Sequence, residues 1–338
     1  MSERLTMNGK PVFTVPAKTV VNFDSRFDKK LLCDGITFTA GNACVYDCAF
    51  CYVDDMQRKA REWHEKNGVT YPPEGHSGVV IRITNAVQLA RKQILSKPIE
   101  FRMAKKVIYA SPKVDVAGNM ELVRETVEIC KVVLELTNWD IRLLSKSNLL
   151  PKIAQSLEDW SAMGVGLGDD DAVMPSERVI YGVSTGTLND KLAAAFEGGT
   201  PKVSKRIESL YWLQNNGFRT FGMICPSLPQ DDYLAFARQM ASALRVDKME
   251  HVWAEVINAR GESFTKTHKA LLDAGFEHEA QMFKEISEIK WKWEGYANDT
   301  FLAHKAFIPP EKLRFLQYVT KETEPFWKKQ TQFGAVML

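Results

Sequence analysis

Three cysteines, Cys44, Cys48 and Cys51, share the stretch Gly41-Asn42-Ala43-Cys44-Val45-Tyr46-Asp47-Cys48-Ala49-Phe50-Cys51-Tyr52. The spacing C-x3-C-x2-C puts three thiolates on one short loop, enough to hold three corners of a cubane four-iron four-sulfur (4Fe-4S) cluster. Full cysteine ligation is usual for electron-transfer clusters. A fourth iron without a protein ligand is free to bind something else, as open metal positions do in catalysis. The other reading is a closed zinc or iron-sulfur site, non-catalytic, in which Cys33 is the fourth ligand. Zinc sites favour paired groups such as C-x2-C and H-x3-H, whereas Cys33, Cys130 and Cys225 stand alone.

The elements that must position this loop follow from the apolar pattern. Ile36-Thr37-Phe38-Thr39-Ala40 reads as a strand delivering the loop. After a polar helix around Asp54 to His64 and a breaker-rich link, short apolar runs alternate with longer amphipathic segments. The runs are Val79–Ile83, Lys106–Ala110, Ile141–Ser145, Val179–Ser184, Phe218–Cys225 and His251–Ile257. The segments after them begin with Ala86–Leu95, Met120–Leu136 and Leu149–Leu157. Such alternation argues for right-handed βαβ units and a parallel sheet. Six or so of them fit an α/β fold built as a partial (β/α)6 TIM-like barrel, in which chemistry sits at the C-terminal ends of the strands. Those ends carry Ser111 and Asp115, Lys146 and Ser147, Ser184 and Thr185, Cys225, and Asn258 with Arg260. The set is polar, as a pocket for a charged nucleotide requires.

The organisation expected is an N-terminal extension over residues 1–30, the barrel over 31–260 and a C-terminal helical extension over 261–338. His64 and His76 read as surface or loop histidines. In the tail, Trp291 and Trp293 flank Lys292, with Lys305, Arg314, Lys328 and Lys329 nearby. Aromatic and basic residues together can stack bases and hold phosphates, and a helix capping the barrel with its tryptophans is the alternative. Six cysteines with three clustered is metal usage and not a disulfide framework. No apolar run approaches the roughly 20 residues needed to cross a bilayer, and Met1 to Lys10 lacks the apolar core of a signal peptide. Both features point to the cytoplasm. A net charge of +2 neither demands nor excludes a nucleic-acid partner.

With Phe50 before the last cysteine and Tyr52 after it, the loop resembles the cluster loop of the radical S-adenosylmethionine (SAM) superfamily. Further segments resemble its spore photoproduct lyase-like branch, over about Gly35 to Asn258. Lys146 in Leu143-Leu144-Ser145-Lys146-Ser147 looks like that branch's strand-end lysine beside SAM. Val183-Ser184-Thr185 looks like its serine strand. Glu197, Pro201, Lys205 and Arg206 look like its E-P-x-R element, and Gly217 to Pro229 its following strand. The resemblance implies a lyase- or isomerase-type enzyme with a 4Fe-4S cluster on Cys44, Cys48 and Cys51. SAM then sits on the open iron, with cofactor-binding roles for Tyr52, Ser111, Asp115, Lys146, Ser184 and Arg206. An electron donor such as flavodoxin or ferredoxin is implied as well. The implied substrate is a thymine-type base in DNA or a nucleotide, repaired or remodelled; peptides and small metabolites are substrates elsewhere in the superfamily.

One departure matters. The lesion-repairing members use a cysteine to return hydrogen to the product radical, and the matching segment here reads Tyr109-Ala110-Ser111-Pro112-Lys113-Val114-Asp115. A serine O–H bond is too strong for that role. Cys225, at a strand end, is the substitute hydrogen donor, its other reading being a small buried hydrophobe. Cys130 reads as core.

Overall fold

The computed structural model describes residues 5–72, 78–110, 112–163, 174–259 and 261–338. His76, Ser111 and Arg260 lie outside the described residues. The strands in chain order are β1 (Thr6–Met7), β2 (Lys10–Val15), β3 (Val21–Asn22), β4 (Ile36–Phe38), β5 (Gly41–Ala43), β6 (Asp47–Cys48), β7 (Val80–Ile83), β8 (Val107–Ala110), β9 (Asp140–Ser145), β10 (Val179–Ser184), β11 (Glu197–Gly198), β12 (Arg219–Ser227), β13 (Val252–Val256), β14 (Leu313–Gln317) and β15 (Ala335–Met337). The chain divides into two compact units. One comprises Met1–Asp47, Cys51–Tyr181 and Asn215–Arg219, the other Cys48–Phe50, Gly182–Gln214 and Thr220–Leu338.

In the first unit, β3, β4, β8, β9 and the start of β10 lie side by side in that order. β4 and β8 run parallel with Ile36 opposite Ile108, and β8 and β9 run parallel with Val107 opposite Asp140. The helix Met120–Leu136 shows why the sequence takes this form. The Asn119 side chain accepts the Leu122 N–H at 2.9 Å, satisfying a donor that the first turn leaves open. Leu122, Thr126, Ile129, Cys130 and Val133 then recur at helical spacing and are buried. Cys130 is thus core, and burial pushes its thiol well up.

A smaller sheet in this unit has the order β1-β2-β7-β5. Val15, Ala43, Val69, Val79 and Ile81 form its core. The sequence pattern assigns Val79–Ile83 to a barrel repeat. Instead β7 pairs in parallel with β2, Val12 opposite Val80, and antiparallel with β5. An apolar run looks alike in either sheet, and only its distant partner tells them apart. The first thirty residues, read as an extension, supply β1, β2 and β3.

In the second unit the end of β10 is followed in order by β12, β13, β14 and β15. The pairs from β12 onward are parallel, with Gly222 opposite Val252, Val252 opposite Leu313, and Phe315 opposite Ala335. Five of the six expected repeat runs, β8, β9, β10, β12 and β13, thus fall in this strand order together with β4, the strand expected ahead of the loop. The C-terminal stretch, read as helical, also contributes β14 and β15. β9, β10 and β12 are buried along nearly all their length, as strands covered on both faces by helices are. Among the described residues no helix is long and apolar enough to cross a membrane.

Candidate active site

β5 delivers the cysteine loop. At its start a Cβ on Gly41 would lie 2.7 Å from the Ile81 carbonyl oxygen, so the close approach to β7 requires glycine. None of Cys44, Cys48 and Cys51 is in a disulfide, and each is partly exposed. Cys44 Sγ accepts the Asp115 N–H at 3.4 Å. Burial, and next the Asp115 carboxylate, push this thiol up to about 12, against the pull of the Tyr46 and Asp115 N–H groups. A metal binding there must displace its proton. Cys48 belongs with the second unit, where β6 pairs with β11. In the same unit Ala49 N–H donates to Phe196 O at 2.9 Å, and the Phe50 and Phe196 rings meet edge to face at 5.7 Å.

Among the described residues no three His, Cys, Asp or Glu side chains are gathered closely enough to hold a metal ion. The fit to a cluster therefore lies in the donor set: three cysteine sulfurs in order on one loop, one of them, Cys44, accepting a backbone N–H of the kind that tunes cluster sulfurs. Cys33 differs. It is 6% exposed, its sulfur accepts the N–H groups of Gly35 and Ile36, and burial pushes it up to about 11.

Asp115 is a hub. Its Oδ1 accepts Ser145 Oγ–H at 2.6 Å and Ala117 N–H at 2.8 Å, and its Oδ2 accepts Lys146 N–H at 2.8 Å. The buried carboxylate thus ties the end of β9 to the segment whose own N–H touches the Cys44 sulfur. Tyr52, 49% exposed, is no core aromatic; its hydroxyl donates to Pro112 O at 2.7 Å, fastening the cysteine loop to the same segment. Two lysines also reach the loop, and sequence reasoning gave them no role. Lys10 Nζ donates to Tyr46 O at 3.0 Å, and Lys113 Nζ donates to Asn42 Oδ1 at 3.3 Å. Burial lowers the pKa of Lys113.

In the second unit Ser184 Oγ donates to Cys225 O at 3.2 Å. A Cβ on Gly186 would lie 1.6 Å from Pro226 O, so the chain after β10 presses directly on the Cys225-Pro226 backbone. Cys225 is partly exposed, not the buried hydrophobe of the alternative reading, and its Sγ lies 3.7 Å from Glu255 Oε2. Glu255 was not singled out in the sequence. The signal was available, a lone acid in the apolar strand Val252-Trp253-Ala254-Glu255-Val256. Arg206 is turned wholly inward. At 0% side-chain exposure it pairs with Glu197, also 0%, at 2.6 Å, and donates to Pro201 O at 2.9 Å, Thr200 Oγ1 at 2.7 Å and Ser184 O at 3.2 Å.

The histidine and tryptophan readings change as well. His64 is buried, not a surface residue, and its Nδ1 meets the Tyr71 hydroxyl at 2.5 Å. The tail tryptophans part company: Trp291 is 70% exposed, while Trp293 packs on Tyr296 with ring centroids 5.5 Å apart.

No protein-family model matches the chain, and no curated protein matches it. Among solved structures it is similar to a cysteine-to-alanine variant of spore photoproduct lyase with dinucleoside spore photoproduct, at TM-score 0.52 and 10% identity over 77% of this chain and 65% of that one. A cysteine-to-alanine variant of the same lyase matches at TM-score 0.51 and 11% identity, over 77% and 66%. Streptococcus suis SuiB bound to precursor peptide SuiA matches at 0.37 and 10%, over 72% and 46%, too loosely to carry an argument. The chain spans about two thirds of the length of the lyase chains it matches, 65% and 66%. At such identity the likeness is one of fold, and the chain shares the α/β fold of spore photoproduct lyase.

Proposed function

We propose that this protein is a radical SAM enzyme acting on a thymine-type base in DNA, by lesion repair or base rearrangement. The observation that carries the reading is the open three-cysteine loop, with the Cys44 sulfur braced from Asp115, in a chain with the fold of spore photoproduct lyase. Cys44, Cys48 and Cys51 would hold the 4Fe-4S cluster. When bound, cluster and SAM supply a 5′-deoxyadenosyl radical that abstracts hydrogen from the substrate.

The chain's own residues bind and orient. Lys146 offers an ammonium to the methionine carboxylate through a charge-assisted hydrogen bond. Its place is fixed by the backbone bond to Asp115. Ser184, at the end of β10, is read as a further cofactor-binding residue, and Arg206 supports it indirectly by holding the Ser184 carbonyl. Tyr52 shields the loop from water. Cys225 returns hydrogen to the product radical, its S–H breaking as a C–H bond forms. A base in a duplex must be extruded to be reached. Radical chemistry of this kind needs reducing surroundings and an electron donor such as flavodoxin or ferredoxin, which places the protein in the cytoplasm.

The test is anaerobic reconstitution with iron and sulfide, then dithionite and SAM, measuring 5′-deoxyadenosine with and without thymidine-containing DNA. Formation stimulated by DNA, with deuterium carried into it from a labelled base, is expected; no formation with a loaded, reduced cluster refutes the reading. Cys33→Ala should keep the cluster, and Cys44→Ala, Cys48→Ala and Cys51→Ala should each lose it. Loss of iron in Cys33→Ala would restore the closed four-ligand site.

A further inference from the structure

Among the described lysines of the first unit, Lys10 and Lys113 each donate to the cysteine loop. Arg82, Arg91, Lys105 and Arg219 each face a carboxylate at 2.9 Å or less. Lys10 and Lys113 face none among the described residues. Both are partly buried, and each ammonium rests on one neutral oxygen of the cysteine loop, Tyr46 O for Lys10 and Asn42 Oδ1 for Lys113. An ammonium carries three donors, so each keeps two for another acceptor. Holding a cation part-desolvated without an anion is costly, and an anion arriving beside it recovers that cost. The contacts bracket Cys44, one two residues before it and one two residues after.

We infer that Lys10 and Lys113 are the phosphate anchors of this site, gripping the phosphodiester backbone of a single-stranded or extruded nucleic-acid segment whose base is presented to the cysteine loop. The inference rests on the functional reading above and adds to it the two residues that recognise the substrate's backbone. Phosphate suits the arrangement because a nucleic-acid backbone carries one negative charge at every nucleotide and so offers an anion to each of two separate point charges. Ammonium groups bind phosphate as compact charges without demanding a planar partner. The methionine carboxylate of SAM is the other anion the same chemistry would accept, and the experiment separates the two.

The reconstituted protein is titrated by fluorescence anisotropy against a labelled thymidine octanucleotide over a range of salt, and separately against SAM. Lys10→Gln and Lys113→Gln should each weaken octanucleotide binding about tenfold and lower the slope of log affinity against log salt by about 0.7, the share of one phosphate contact on a single strand. Lys113→Arg should restore most of the loss, and SAM binding should not move. Folding of each variant is checked by its thermal transition and iron content. The inference is overturned if the double variant Lys10→Gln/Lys113→Gln keeps wild-type affinity and slope, or if the wild type does not bind the octanucleotide. It is overturned equally if the variants lose SAM affinity alone, which assigns the anion to the carboxylate. Octanucleotide binding that depends on both lysines, in a protein that makes no 5′-deoxyadenosine, would keep the anchors and refute the radical chemistry.

Discussion

Replacing Asp115 by alanine removes one carboxylate and strands three donors: the Ser145 hydroxyl and the N–H groups of Ala117 and Lys146. At 8% exposure the site admits little water to replace it. A hydrogen bond to a charged group contributes about 1.5–3 kcal/mol. The three share one acceptor group and do not add in full, so the expected loss is about 3–5 kcal/mol. In a unit of this size each kcal/mol moves the melting temperature by about 2–4 °C, predicting a fall of roughly 6–20 °C. Asp115→Asn keeps one oxygen but opposes its NH2 to one of these donors, and should lose about half as much. The assay is a circular-dichroism melt of the cluster-free protein, paired with iron content after reconstitution. Because the Asp115 N–H is the donor to Cys44 Sγ, iron retention should fall in Asp115→Ala even at temperatures where the variant is folded. A melt within about 1 °C of wild type would refute the hub, since no buried network of this kind can be removed at so small a cost.

Arg206→Met should destabilise the protein by about 3–5 kcal/mol in urea unfolding, because the buried Glu197 carboxylate loses the guanidinium it pairs with. Glu197→Gln/Arg206→Met should recover much of that loss, and a double variant as unstable as the sum of the two singles would contradict the pairing. His304 is fully buried beside Phe236, neither ring nitrogen has a hydrogen-bond partner among the described residues, and burial lowers its pKa from 6.5 to about 4. The folded protein holds it neutral while the unfolded chain protonates it. Its contribution to stability is therefore complete above pH 6.5 and lost as the pH falls towards 4, by roughly 3 kcal/mol. Urea midpoints at pH 7 and 4.5 should diverge less in His304→Leu than in wild type; equal divergence would mean another group sets the acid sensitivity.

The cysteine loop was legible because its meaning is local: three thiols, one spacing, one strand before them. Five strands of the repeat were legible for a similar reason, since burial on both faces writes an unbroken apolar run. What escaped depends on contacts distant in sequence. Val79–Ile83 carries the signature of a barrel strand and belongs to the smaller sheet, because its partner β2 lies far back in the N-terminal residues. β14 and β15 lie in the charge-rich C-terminal stretch, between and after helices, and were read together with those helices. Asp115 and Arg206 were recognisable as important residues, but a carboxylate at a strand end looks the same in sequence whether it faces a ligand or its own backbone. The structure directs Asp115 to Ser145 and Lys146, and Arg206 to Glu197. Glu255 and the lysine pair acquire meaning only once the strands and the loop bring them to their neighbours.

The path of the chain between the two units has a consequence for how such a protein can change over time. The polypeptide enters the second unit at Cys48, leaves it at Cys51, returns at Gly182, departs again for Asn215–Arg219 and comes back at Thr220. Three strands, β6, β10 and β12, begin in one unit and finish in the other. Neither unit is a continuous stretch, so no single crossover between genes can exchange one while sparing the other, and no single proteolytic cut releases either intact. The two halves are inherited together, and new specificity must be acquired by substitution within both, not by shuffling modules.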